Sequence, residues 1–357
     1  MNTADETGSN PLFLACLKGL HGVVSCLTKQ GADVNAPAID DHRPLHVACV
    51  NGHLTVVNVL VDKGANVNTL AKDNVTALYY ASAKGHAQVA DYLVDKGDDV
   101  RAAYKKGSTF IIRASGEGYV NIVSLLIHHG ADVNAATING TSSLHVASEY
   151  GHFTIAKILV DRGAYVNCET DTGVTPLYNA SKKGKFQVSN YLLEKGAHVN
   201  ASDKQGFSPL TIASMKGHIT VAKILVDSGA DVNHKAKRCV TPLYLASFNG
   251  HLGVVRYLVQ HGADLNETDE KGLNPLINAS KQGHDNIVSH LIEHGADVHA
   301  VNHKGSSSLH FACKNGHLKV AKILVDRGAD TMELMYMQLT MLVLVRYILH
   351  AKMDISK

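Results

Sequence analysis

Histidines, cysteines and lysines are the residues that could do chemistry in this chain. It holds 22 histidines and 6 cysteines in 357 residues. A zinc site would show as His-Glu-x-x-His or Cys-x-x-Cys, because tetrahedral ligation needs donors that return to one face at short spacing. Neither pattern occurs. Gly116-Glu117-Gly118 looks like part of a dinucleotide loop, but no strand precedes it. There is no Gly-x-x-x-x-Gly-Lys loop and no Gly-x-Ser-x-Gly elbow. Asn-x-Ser/Thr sequons stand at Asn74, Asn139, Asn179, Asn200, Asn266 and Asn278. Asn179 and Asn278 fall inside expected helices, and the polar N-terminus lacks a signal peptide's layout, so glycosylation is not expected. The cysteines lack disulfide spacing, which points to free thiols in a reducing compartment. No convergent constellation of nucleophile, base and oxyanion donors emerges, so the chain is not expected to be an enzyme or to hold a cofactor.

The elements that would position these residues follow from a repeat. Gly31, Gly64, Gly97, Gly130 and so on to Gly328 recur every 33 residues, and a second glycine series runs from Gly19 to Gly316 at the same interval. Ala15 to Ala312 and Leu27 to Leu324 fill all ten places of the same frame. Such self-similarity marks an array of small supersecondary units, each too small to bury its own apolar face. The frame explains Gly118, which is the helix stop of repeat four. It also explains ten histidines: His46, His145 and His310, and seven that follow the stop glycine. These are expected to donate hydrogen bonds between neighbouring repeats. Cys16, Cys49 and Cys313 follow the frame alanine, in a slot expected to be small and buried.

Repeat six shows the local chemistry. Thr175 before Pro176 supplies a side-chain cap and a proline at the first helical position. Thr241-Pro242 and Ser208-Pro209, which look like kinase sites, read the same way. Leu177, Ala180 and Ser181 give a short helix with a small face, and Gly184 stops it in a left-handed turn. Val188, Tyr191, Leu192 and Leu193 give a second helix, ended by Gly196 and followed by a polar turn.

Arg43-Pro44-Leu45-His46-Val47-Ala48, Thr175-Pro176-Leu177-Tyr178, Thr241-Pro242-Leu243-Tyr244 and the recurring Gly-His and Gly-Ala pairs resemble the ankyrin repeat family, whose signature is Thr-Pro-Leu-His-x-Ala, Gly-His, Gly-Ala-Asp-Val-Asn. The resemblance implies an all-α solenoid of stacked antiparallel helix pairs with projecting β-hairpin-like loops. The expected organisation is an N-terminal tail over 1–4, ten repeats over 5–334, and a degenerate half-repeat or capping segment over 335–357, with Leu342, Val345 and Leu349 facing inward. Repeat four departs most: Asp98 replaces alanine, Arg101 asparagine, Phe110 proline and Ile112 histidine. Its interface, 97–118, is expected to be the weakest.

In this family the first helices line a groove, and the loop tips rim it, to contact protein partners. The slots before each stop glycine carry balanced charge in repeats one to five, among them Glu117, Glu149 and Tyr150. In repeats six to ten they hold Lys182, Lys183, Met215, Lys216, Phe248, Lys281 and Lys314, with no acid. Nearby tips add Phe207, Lys237 and Arg238. Lysines on a surface are ordinarily just solvated. Aromatic anchors ringed by charge are what an interface hot spot requires. Tyr150, Lys182, Lys183, Phe207, Met215, Lys216, Lys237, Arg238, Phe248, Lys281 and Lys314 are therefore the expected partner-binding residues. The implied function is a non-catalytic, monomeric, cytoplasmic or nuclear scaffold for protein–protein interaction that recognises an acidic segment of its partner. The alternatives are an adaptor recruiting a ubiquitin ligase or cytoskeletal element, or a repeat fragment of a larger enzyme or channel. Net charge is only +2 and the groove lacks a run of stacking aromatics, so nucleic acid is not expected. The longest apolar stretch, Met341 to Val345, is far too short for membrane insertion, and no small-molecule substrate is implied.

Overall fold

The computed structural model describes Asp5 and residues 9–329. The expected tail over 1–4 and the expected cap over 335–357 lie outside the described residues. Among the described residues the chain forms ten pairs of short helices. The first of each pair has seven or eight residues and the second nine, as in Pro242–Phe248 followed by Leu252–Gln260.

Each boundary has a local cause. Prolines stand at the start of several first helices, and the side chains of Asn10, Thr76, Ser208, Thr241, Asn274 and Ser307 accept the backbone N–H three residues on. The stop glycines adopt left-handed φ, for example +76° at Gly217. At Gly217 a side chain is excluded twice, because a Cβ there would lie 2.5 Å from the His251 ring of the next repeat. That histidine donates from Nε2 to the Met215 carbonyl at 3.1 Å. His53, His86, His152, His218, His284 and His317 do the same to the carbonyl 36 residues earlier. Three more histidines cap helices. His46 Nδ1 accepts from Arg43 N–H at 3.0 Å while Nε2 donates to the Thr69 carbonyl at 3.0 Å. The ten frame histidines are thus explained by the ties they make.

The chain divides into two compact parts, Met1–Ala180 with Lys185–His198, and Ser181–Gly184 with Val199–Lys357. Within each part, first helices pack on first helices of the next repeat and second helices on second helices. The leucine ladder from Leu60 to Leu324 and the alanine ladder from Ala48 to Ala312 are solvent-excluded. Each buried leucine contributes roughly 1.5–3 kcal/mol. The loops are hairpin-like, with one short antiparallel ladder, Ala103–Tyr104 on Ser108–Thr109, in repeat four. Isolated bridges such as Val301 to Ser307 mark others.

Repeat four accommodates most of its departures. Phe110, Ile111 and Ile112 are all buried. Arg101 donates its Nε to the Gly130 carbonyl at 3.2 Å, the bond that Asn68 and Asn134 make to Gly97 and Gly163 in the flanking repeats. Asp98 is the departure that packing does not neutralise, since it is a carboxyl group only 5% exposed. One expectation needs correcting. Cys16 and Cys49 are buried, but Cys313 is exposed. The slot is closed by the first helix of the following repeat, and no further helix follows repeat ten among the described residues.

Candidate functional site

Two constellations that mimic chemistry are inert. Cys168 Sγ lies 3.7 Å from His145 Nδ1, and Ser142 Oγ lies 2.9 Å from the same nitrogen. That nitrogen also accepts the Ser142 N–H, and Nε2 donates to the Val174 carbonyl at 2.9 Å. The ring is therefore committed to capping, and burial lowers the histidine pKa while raising that of the thiol, the reverse of an activated pair. Among the described residues no group of three or more His, Cys, Asp or Glu is placed to hold a metal ion. No described helix is long and apolar enough to cross a membrane.

The C-terminal part contains a groove built by its first helices and loop tips. Successive tips are chained by backbone bonds: Lys237 N–H to the Gln205 carbonyl at 2.9 Å, Glu270 N–H to Arg238 at 3.2 Å, and His303 N–H to Lys271 at 3.1 Å. Two cavities open beside this chain. One, of about 560 Å³, is lined by Phe207, Lys237 and Arg238. The other, of about 480 Å³, is lined by Phe248, Lys281 and Arg238. Val240 and Glu270 also border both. Phe248 at the end of its helix is 38% exposed. Lys281 lies with Nζ 5.7 Å above the Phe311 ring. Five of the residues named from the sequence are thus brought together. Lys182, Lys183, Lys216 and Lys314 are exposed and Met215 is half-buried, and none of the five lines these two cavities. Tyr150 belongs to the N-terminal part, where it lines a different cavity.

Sequence reasoning missed the groove's fixed polar framework. Tyr244 donates its hydroxyl to Asp269 Oδ2 at 2.8 Å, and Asp269 Oδ1 accepts the Lys271 and Leu273 N–H groups. Burial and this carboxylate push the Tyr244 hydroxyl well above the usual tyrosine range. Asp269 is satisfied by three donors, which limits its attraction for an incoming cation. The available signal was Tyr244 at the histidine slot of the frame. Also missed was the strain at the tip. Arg238 and Cys239 have φ of +64° and +57°, and Cys239 occupies the slot held by Gly206 and Gly272 in flanking repeats. A side chain in this region costs roughly 1–2 kcal/mol. The strain falls beside the one cation that lines both cavities.

The family model for ankyrin repeats (3 copies) matches residues 1–71, 37–104, 67–137, 144–236, 197–269 and 243–334. The chain belongs to the ankyrin repeat family. The chain is similar to the human ASB11 ankyrin repeat domain, known from a crystal structure, with 32% sequence identity and a TM-score of 0.56. The match covers 62% of this chain and 98% of that one. No curated protein sequence matches. Ankyrin repeats are in general protein–protein interaction modules on a fold that is typically non-catalytic. In this ankyrin chain the groove offers two aromatic-walled cavities joined by one guanidinium, an arrangement suited to seating apolar side chains beside carboxylates.

Proposed function

We propose that this ankyrin chain is a non-catalytic scaffold whose C-terminal groove binds an acidic, partly apolar segment of a partner protein. The observation that carries the reading is the pair of cavities walled by Phe207 and Phe248, sharing Arg238 and bordered by Lys237 and Lys281. Lys182, Lys183, Lys216 and Lys314 add positive charge at helix ends of the same part. Exposed charges contribute about 0–1 kcal/mol each, so they set on-rate and salt dependence. The aromatic anchors carry affinity, with about 2 kcal/mol or more lost on truncating a hot spot.

The test uses a fluorescent twelve-residue peptide alternating glutamate and leucine, its lysine–leucine counterpart, and anisotropy over a salt series. The acidic peptide is expected to bind, more weakly as salt rises, and the basic one not. Phe248→Ala should speed dissociation. The combined Lys183→Glu, Lys216→Glu, Lys281→Glu change should slow association and flatten its salt dependence. Equal binding of the two peptides, or variants that bind the acidic peptide as the parent does, overturns the reading.

A further inference from the structure

Gly116 stands inside the first helix of repeat four, Phe110–Glu117. Glycine weakens a helix interior relative to alanine, so it needs a reason there. Its backbone gives none, since Gly116 is not among the glycines with positive φ. Steric room gives none either. A Cβ would lie 3.8 Å from Val146 Cβ and 3.9 Å from Tyr150 Cε2, ordinary contact distances. The same slot carries Leu17, Val50, Ala83 and Glu149 in the other repeats of this part. Gly116 lines a cavity of about 530 Å³, within the range of ligand pockets, into which it puts no side chain.

Tyrosines wall this cavity. Tyr79 and Tyr104 meet nearly edge to face, with ring centroids 4.3 Å apart, and Tyr150 is 57% exposed. The charges at the cavity are already matched. Arg113 Nη2 lies 2.8 Å from Glu117 Oε1. Ser108 Oγ donates to Tyr104 Oη at 2.8 Å. Paired in this way, the charges of Arg113 and Glu117 cancel and give the cavity no net charge to attract an ionic occupant. A neutral one leaves the pair intact, and what remains on offer is ring faces and edges. Aromatic rings satisfy such surfaces best, in edge-on or offset packing.

We propose that the N-terminal part carries a second binding pocket, bordered by Gly116 and walled by Tyr79, Tyr104 and Tyr150, that takes an aromatic side chain of a partner polypeptide. It is independent of the C-terminal groove.

The test titrates the full chain, methyl-labelled at Ile and Val, with the N-acetyl amides of tryptophan, arginine, glutamate and leucine. The tryptophan amide is expected to shift the Ile112 and Val146 methyl resonances saturably, at least several-fold more tightly than the other three. Gly116→Leu restores a side chain that the frame accepts at Leu17, and should raise thermal stability while abolishing the shifts. Gly116→Ala should also raise stability but retain binding, which separates helix propensity from pocket filling. The proposal is overturned by any of three results: no probe shifts those methyls, Gly116→Leu binds tryptophan amide as the parent does, or a charged or aliphatic probe binds as tightly as the aromatic one.

Discussion

Asp98 lets one departure from the repeat be turned into a number. It stands where the frame holds Ala32, Ala65 and Ala131, and it is 5% exposed. Burial raises its pKa from 3.8 to about 7, only partly opposed by the Leu78 N–H, which donates to Oδ2 at 3.3 Å. In the unfolded chain the group protonates near 3.8. Between these values the native state holds a proton that the unfolded state lacks. Its contribution is therefore fully present below about pH 4 and is lost as pH rises through about 7. A shift of about three units at 1.36 kcal/mol each corresponds to about 4 kcal/mol at alkaline pH. Asp98→Ala restores the frame residue and gives up one long hydrogen bond, for which about 1 kcal/mol is deducted. The variant should be more stable than the parent by about 3 kcal/mol at pH 8, and the advantage should shrink to somewhat under about 1 kcal/mol at pH 5 and vanish near pH 4. Asp98→Asn, which does not titrate, should leave no pH dependence from this position.

Stability in an array is a sum of local and nearest-neighbour terms, so the readout should be local. Amide hydrogen exchange over Ala77–Ala83 and Phe110–Glu117, corrected for the intrinsic pH dependence, compares parent and variants at pH 5 and 8. Background titrations such as those of His46 and His145 are shared and cancel in the difference. A parent–variant difference that is independent of pH, or a variant less protected at pH 8, refutes the assignment of the buried charge.

Other perturbations follow from the same geometry. Burial drives His46 down from 6.5 to about 4, so its contribution is intact above pH 6.5 and about 3 kcal/mol is lost as pH falls towards 4; His46→Gln should flatten that part of the acid unfolding curve followed by circular dichroism. Gly217→Ala meets both a left-handed φ and the His251 ring, whereas Gly229→Ala, at φ +88° with nothing within 4 Å, meets only the first; the first should cost more than the roughly 1–2 kcal/mol expected of the second in urea titrations. Cys239→Gly relieves a residue held at φ +57° and should raise the unfolding free energy read from urea titrations by about 1 kcal/mol after the entropy of the added glycine is allowed for.

The fold was legible because each frame residue answers to one local requirement that the 33-residue period repeats. Glycine at 217 meets a φ that few other residues adopt, proline at 242 starts a helix, and histidine at 251 reaches a carbonyl at a fixed offset. The groove was legible only as a list of slots. Helix-end position named Phe248 and Lys281, which line one of these cavities, but it could not say that Arg238 would border both, because that depends on a left-handed tip no residue type announces. Tyr244 and Asp269 were missed for a related reason: their bond links a helix to a tip 25 residues away and has no counterpart in a local rule. Cys313 was misplaced because burial in a stacked array belongs to the interface with the next repeat, not to the residue. Gly116 unites both lessons. In one dimension it reads as a defect in a helix, while in three it borders a cavity among tyrosines from repeats three, four and five. In an array whose frame residues are committed to stacking, the slots free to vary are those whose change the fold tolerates, and Arg238 and Gly116, at two such slots, both border cavities.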